Sequence, residues 1–247
     1  DIETGETLVW PKGHSREGQP LFKRRFVPAK LSDNPYLYEG GDYEANLLSL
    51  SENERRKLLD GDWDVVEGNA FPEFRRDLHV VEPFEIPRDW RKFRSCDYGY
   101  GSASGVLWFA ITPEEELVVY REYYVSKRLA SDLADDVLAL EQRDGRISYG
   151  VLDSSCWHSR GNPGPSIAEV MIGRGCRWRP SDRSAGSRIS GKNEVHRRLQ
   201  VDEYTERPRL VIFDTCKHLI AQLPMIPLDK SNPDDVDTKA EDHLYDA

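Results

Sequence analysis

The stretch 92–125, KFRSCDYGYGSASGVLWFAITPEEELVVYREYYV, decides the fold. It holds three apolar runs, at 92–98, 104–112 and 117–125, separated by a Gly-rich turn and by a short turn at Pro113 and Glu114. Runs rich in Val, Ile, Tyr, Phe and Trp and bounded by turn residues read as strands. Too few residues join the second and third for a crossover, so these two form an antiparallel hairpin. Working outward, 130–142 carries Leu133, Val137, Leu138 and Leu140 ahead of Gly145, the pattern of a helix. A strand at 147–153 follows that helical crossover and should lie parallel to the first. Helices at about 166–173 and 188–200, a short strand near 176–179, the strand 209–213 and a short helix over 216–223 complete the order βββαβαβα. Mixed strand pairing with intervening helices predicts an α/β three-layer domain.

Upstream the chain reads differently. Pro11, Gly13, Gly18, Pro20, Pro28, Pro35, Gly40 and Gly41 interrupt every candidate element, leaving one short strand at 23–27. Ser51 and Glu54 form a capping-box pattern for a helix that should end at Gly61. Residues 1–65 therefore read as a linker or small subdomain, and 66–247 as the main domain. Pro72, Pro83 and Pro87 make 71–90 an extended connection between them.

The 247 residues carry a formal charge of −10, which argues against an all-over basic nucleic-acid binder but leaves room for a local basic patch. No apolar run approaches the ~18 residues of a membrane span, and no signal peptide opens the chain, which points away from secretion. Cys96, Cys156, Cys176 and Cys216 are scattered without CxxC spacing and read as free thiols in a reducing compartment. A zinc site on Cys156 and His158 would need two further ligands that the sequence does not supply.

The chemistry centres on aspartates. Asp97 closes the first strand ahead of Tyr98-Gly99, and Asp153 closes the strand 147–152. Taken singly, Asp97 reads as a turn aspartate capping its own loop, and Asp153 as a helix N-cap or an Asx-turn residue. If their strands are parallel neighbours, the two carboxylates meet at one edge. Such a pair repels unless a proton or cation is shared, and Mg²⁺ or Mn²⁺ is the ready solution. A third acidic group, 241–246, reads as the start of a helix in which Asp242 and Asp246 share a face. The helix dipole accounts for Glu241 and Asp242 more readily than for Asp246. His243 reads either as an exposed helical residue or as a proton-handling neighbour of the metal site. Within 174–198, eight arginines and lysines face only Asp182 and Glu194. This is a phosphate-backbone track or a solvated helix face, with Arg179, Arg183, Arg188 and Lys192 as the DNA-binding candidates. A GxxxxGK[ST] loop and a GxSxG elbow are both absent, so the sequence offers no ATPase site or serine-hydrolase elbow.

Read in order, Leu59-Asp60-Gly61-Asp62-Trp63, Ala70-Phe71-Pro72-Glu73-Phe74, Ser95-Cys96-Asp97-Tyr98-Gly99, Val151-Leu152-Asp153 and Glu241-Asp242-His243-Leu244-Tyr245-Asp246 resemble the C-terminal nuclease domain of tailed-bacteriophage large terminase subunits. The stretches Arg24-Arg25-Phe26-Val27-Pro28-Ala29 and Asp33-Asn34-Pro35 resemble the segment joining that family's ATPase to its nuclease. The resemblance implies a ribonuclease H-like fold and a Mg²⁺- or Mn²⁺-dependent endonuclease. Its substrate would be double-stranded DNA, cut largely without sequence specificity during genome packaging. It implies two metal ions. Asp97 would bridge them, Asp153 would hold one, and Asp242 would hold the other, with Asp246 as its competitor. It further implies an ATPase domain before Asp1, a portal protein and a small terminase subunit as partners, and the host bacterial cytoplasm as location. A recombinase or junction resolvase on the same fold and a non-catalytic motor-docking module are the competing readings.

Overall fold

The computed structural model describes residues 34–38, 47, 68–158, 164–202, 205–229, 232, 234–237 and 243–247. Backbone contacts divide the chain into Asp1–Val65 and Val66–Ala247. In the first unit a helical turn at Pro35–Tyr38 is described. The strand expected over 23–27 and the helix expected from Ser51 lie outside the described residues.

The second unit is built on seven strands: β1 (Val80–Val81), β2 (Arg91–Asp97), β3 (Ala103–Ile111), β4 (Leu117–Ser126), β5 (Ile147–Leu152), β6 (Arg179–Pro180) and β7 (Leu210–Phe213). They form one mixed sheet in the order β1-β7-β4-β3-β2-β5-β6. The β2–β3 and β3–β4 pairs are antiparallel, while β5 runs parallel to β2 and β7 parallel to β4. The expected hairpin and parallel crossover are therefore both present. The residues between Phe71 and Trp90 differ from expectation. They contain a helical turn, α1 (Arg76–His79), and β1, which joins the sheet edge beside β7. His79 holds this segment in place. It is fully buried, its Nε2–H donates to the Leu199 carbonyl at 2.8 Å, and Nδ1 accepts from the Arg75 amide at 3.0 Å.

The helices α2 (Ala130–Leu140), α3 (Ile167–Gly173), α4 (Ser187–Leu199), α5 (Lys217–Gln222) and α6 (His243–Asp246) flank the sheet. Helix α3 begins with a full capping box: the Glu169 amide donates to Ser166 Oγ at 3.2 Å and the Ser166 amide to Glu169 Oε2 at 2.7 Å. Val195, Leu219, Leu223 and Leu244 of the helical elements enclose an apolar gap with Leu107 and Phe109 of β3, so α4, α5 and α6 cover one face. Trp108, Leu133, Leu152 and Met171 are fully buried, each contributing roughly 1.5–3 kcal/mol through removal from water.

A charge pair ties α2 to the sheet. Arg94 of β2 donates to Glu141 Oε1 and Oε2 at 2.8 and 2.9 Å, with side-chain exposures of 5% and 11%. Trp108 Nε1 donates to the same carboxylate at 2.8 Å, and Arg94 also reaches the Arg177 carbonyl at 2.8 Å. The Trp178 ring lies 4.3 Å from the guanidinium carbon. Gly150 leaves room for this stack: a Cβ there would stand 2.7 Å from a Trp178 ring carbon. The network fixes β2, and with it the strand end that carries Asp97.

Candidate active site

Strands β2 and β5 run parallel with Cys96 opposite Leu152, so Asp97, the last residue of β2, and Asp153, which follows β5, emerge at the same end of the sheet. The Asp153 amide donates to the Cys96 carbonyl at 3.1 Å, extending the ladder by one residue. Adjacent strands lie about 4.8 Å apart, which brings the Asp97 and Asp153 backbones side by side. Both side chains remain partly open to solvent, at 23% and 33% exposure. Alternation along the strands puts them opposite the buried side chains of Cys96 and Leu152.

Local structure holds each carboxylate. Asp153 caps a 3₁₀ turn at Ser154–Trp157, and its Oδ1 accepts from the Ser155 amide at 2.7 Å. Arg183, 60% exposed, approaches the same oxygen at 3.7 Å. Asp97 Oδ2 accepts from His243 Nδ1 at 3.1 Å. That contact depends on Gly105, the register partner of Asp97 on β3. A Cβ on Gly105 would stand 2.8 Å from the His243 carbonyl oxygen and 3.0 Å from Leu244 Cδ2, so only glycine lets the α6 backbone approach. Leu244, 1% exposed, anchors the helix below, and the Tyr245 ring packs 5.1 Å from Phe71. The hydroxyls of Ser95 and Ser154, each beside an aspartate strand end, are buried with no hydrogen-bond partner among the described residues.

The other expected site residues are distributed around this edge. Asp246 lies 3.5 Å from Arg188 Nη2, and Arg188 Nε donates to Asp235 Oδ1 at 2.9 Å. Burial pulls the Arg188 guanidinium down, but the Asp246 and Asp235 carboxylates outweigh it and hold the group above its ordinary value. Asp242 lies outside the described residues. Among the described residues, no three His, Cys, Asp or Glu side chains form a group arranged to hold a metal ion.

Within the basic segment the charges are used unevenly. Arg174 pairs with Asp135, and Arg197 and Arg198 pair with Glu194 at 2.7 and 2.6 Å. Lys192 is buried at 5% exposure, so its side chain is not presented to solvent. Arg179 is exposed, 3.8 Å above the Tyr149 ring, and with Arg183 it stands on the β5–β6 side of the aspartates. The roles of Gly105 and Asp235 escaped the sequence reading. A signal for Gly105 existed, namely a lone glycine inside an otherwise bulky strand, which marks close backbone approach.

The four cysteines are free and buried. Burial, followed by the neighbouring Asp97 charge, pushes the Cys96 thiol well up, and burial raises Cys176 to about 11 and Cys216 to about 12. These thiols are packing groups and not nucleophiles.

The mixed sheet and its flanking helices define a ribonuclease H-like α/β domain. More particularly, the chain has the fold of phage large terminase nuclease domains. It matches the nuclease domain of the P22 large terminase with a TM-score of 0.57 at 15% identity, over 73% of this chain and 89% of that one. The large terminase from the thermophilic bacteriophage D6E in complex with ATP-gamma-S matches with a TM-score of 0.60 at 16% identity, over 88% of this chain and 53% of that one. A second D6E large terminase structure in the same crystal form gives a TM-score of 0.58 at 18% identity, over 83% and 52%. The chain thus spans about half the length of the D6E proteins. At these identities the likeness is one of fold. No protein-family model matches the sequence, and no curated protein matches it.

Proposed function

We propose that this chain is the metal-dependent nuclease domain of a phage large terminase subunit and cuts double-stranded DNA during genome packaging. The observation that carries the reading is the pair Asp97 and Asp153, side by side at the ends of adjacent parallel strands and open to solvent. The donor chemistry fits a hard divalent cation, because both groups are carboxylates and two like charges at one edge call for one. Asp97 and Asp153 would hold Mg²⁺ or Mn²⁺, with Asp242 or Asp246 of the terminal acidic segment as the third ligand. When bound, such ions lower the pKa of a water and stabilise the departing oxygen.

The remaining work belongs to the chain's own groups. His243 orients Asp97, and the Ser155 amide orients Asp153. Arg179 and Arg183 are exposed and would hold the phosphodiester backbone, which carries no base information, so cleavage is largely independent of sequence. Residues 1–65 would connect this domain to an ATPase domain, and the portal and small subunit would be its packaging partners.

Plasmid nicking in Mn²⁺ tests the assignment. Asp97→Asn should reduce nicking by at least about 100-fold, since loss of a group that merely supports a metal ligand already costs 10–100-fold. Full nicking by that variant would overturn the reading.

A further inference from the structure

We propose that a second site, separate from the aspartates, binds a phosphate-bearing nucleotide unit. A cavity of about 890 Å³ opens where the start of β2, the turn before β5 and the residues after β7 converge. Its size falls within the range of small-molecule sites, roughly 300–1,000 Å³. The aspartates lie at the opposite ends of β2 and β5, about 17 Å away along the strand. The inference does not depend on the nuclease reading.

The charge around this cavity is one-sided. Five cationic and two acidic side chains line it, on a chain whose total charge is −10. Arg121 neutralises one of the acids, Asp144, through bonds of 2.5 and 2.9 Å. Lys92 is 4% exposed, and its ammonium donates to the Asp144 carbonyl at 3.0 Å, with no ion pair to a carboxylate among the described residues. Arg88, Arg143 and Arg146 come from two different segments, and none makes a hydrogen bond or ion pair among the described residues. Arg88, Arg143 and Arg146 place three positive charges around one cavity, and an anion would offset them. The planar fork of arginine matches phosphate oxygens two at a time.

An aromatic group stands beside them. Phe84 lines the same cavity, is 45% exposed, and meets Phe213 edge-on at 4.9 Å. Guanidinium groups for phosphate and an exposed ring for a base together describe a nucleotide unit, either free or as part of a DNA strand.

The test measures binding to the 247-residue chain in EDTA at low salt, using pyrophosphate, ADP and a short DNA duplex as probes. The variant R88Q/R143Q/R146Q should lose at least about tenfold in affinity for pyrophosphate and ADP. Phe84→Ala should weaken ADP while leaving pyrophosphate unchanged. A free nucleotide is the source if ADP binds and the duplex does not displace it. A DNA strand is the source if only the duplex binds and the triple variant weakens it tenfold. The proposal is overturned if the triple variant, folded by circular dichroism, binds all three probes as the parent does, or if the parent binds none. Asp97→Asn should bind the probes at this site unchanged, which separates the result from the nicking assay.

Discussion

Gly105 is the register partner of Asp97, and its missing Cβ is what allows the His243 carbonyl to sit over the strand end. Gly105→Ala should therefore push α6 away from β3 and break the His243–Asp97 contact. Overpacking of this kind costs roughly 1–3 kcal/mol. Thermal unfolding should show a modest fall, while nicking should drop by about tenfold or more, because a small displacement of a positioned group is costly in rate. Equal loss in Gly105→Ala and in a strand substitution far from Asp97 would show that the position matters only for packing.

The Arg94–Glu141 pair separates buried from exposed electrostatics. Arg94→Leu leaves the Glu141 carboxylate buried with only Trp108 as donor among the described residues, and urea unfolding should register a loss of about 3–5 kcal/mol. Arg174→Leu removes an ion pair whose members are 53% and 45% exposed, and the urea midpoint should stay where it was.

Alkaline pH should destabilise the fold through its thiols. Cys176 and Cys216 are held at about 11 and about 12 by burial, against roughly 8.5 in an unfolded chain. Between those values the native state keeps protons that the unfolded state has lost. The stabilisation is complete below about pH 8.5 and disappears as pH rises through 11 and 12. Urea midpoints should therefore fall from about pH 9 upward. At pH 8 a thiol reagent should label none of the four cysteines until denaturant is added.

The strands and their edge were legible because they rest on local signals. The runs around Phe93, Trp108 and Tyr120 announce strands by composition, the Pro113 turn announces a hairpin, and parallel pairing of β2 with β5 follows from the helical crossover. What stayed hidden depends on distant partners. The prolines around Val80 and Val81 suggested an extended connection, whereas β1 exists because β7 and the Leu199 carbonyl receive it. Charge counting over 174–198 could not show that Asp135 neutralises Arg174, that Asp235 holds Arg188, or that Lys192 is buried. The cavity arginines are illegible in the sequence for the same reason. Arg88 and the Arg143–Arg146 turn lie more than fifty positions apart and meet only in the fold.

Arg183 stands 3.7 Å from Asp153 with 60% of its side chain exposed, so it can serve the carboxylate or a phosphate. For a side chain that contacts phosphate, Arg183→Gln should weaken duplex binding about equally for every sequence and lower the salt slope by about 1. For a side chain that only balances Asp153, the salt slope should be unchanged. The same variant should bind Mn²⁺ at least as tightly as the parent, because it removes a positive charge from beside the carboxylate. Calorimetry with Mn²⁺ and duplex titrations at two or more salt concentrations separate these outcomes. A slope lowered by about 1 with Mn²⁺ affinity kept would assign Arg183 to the DNA backbone.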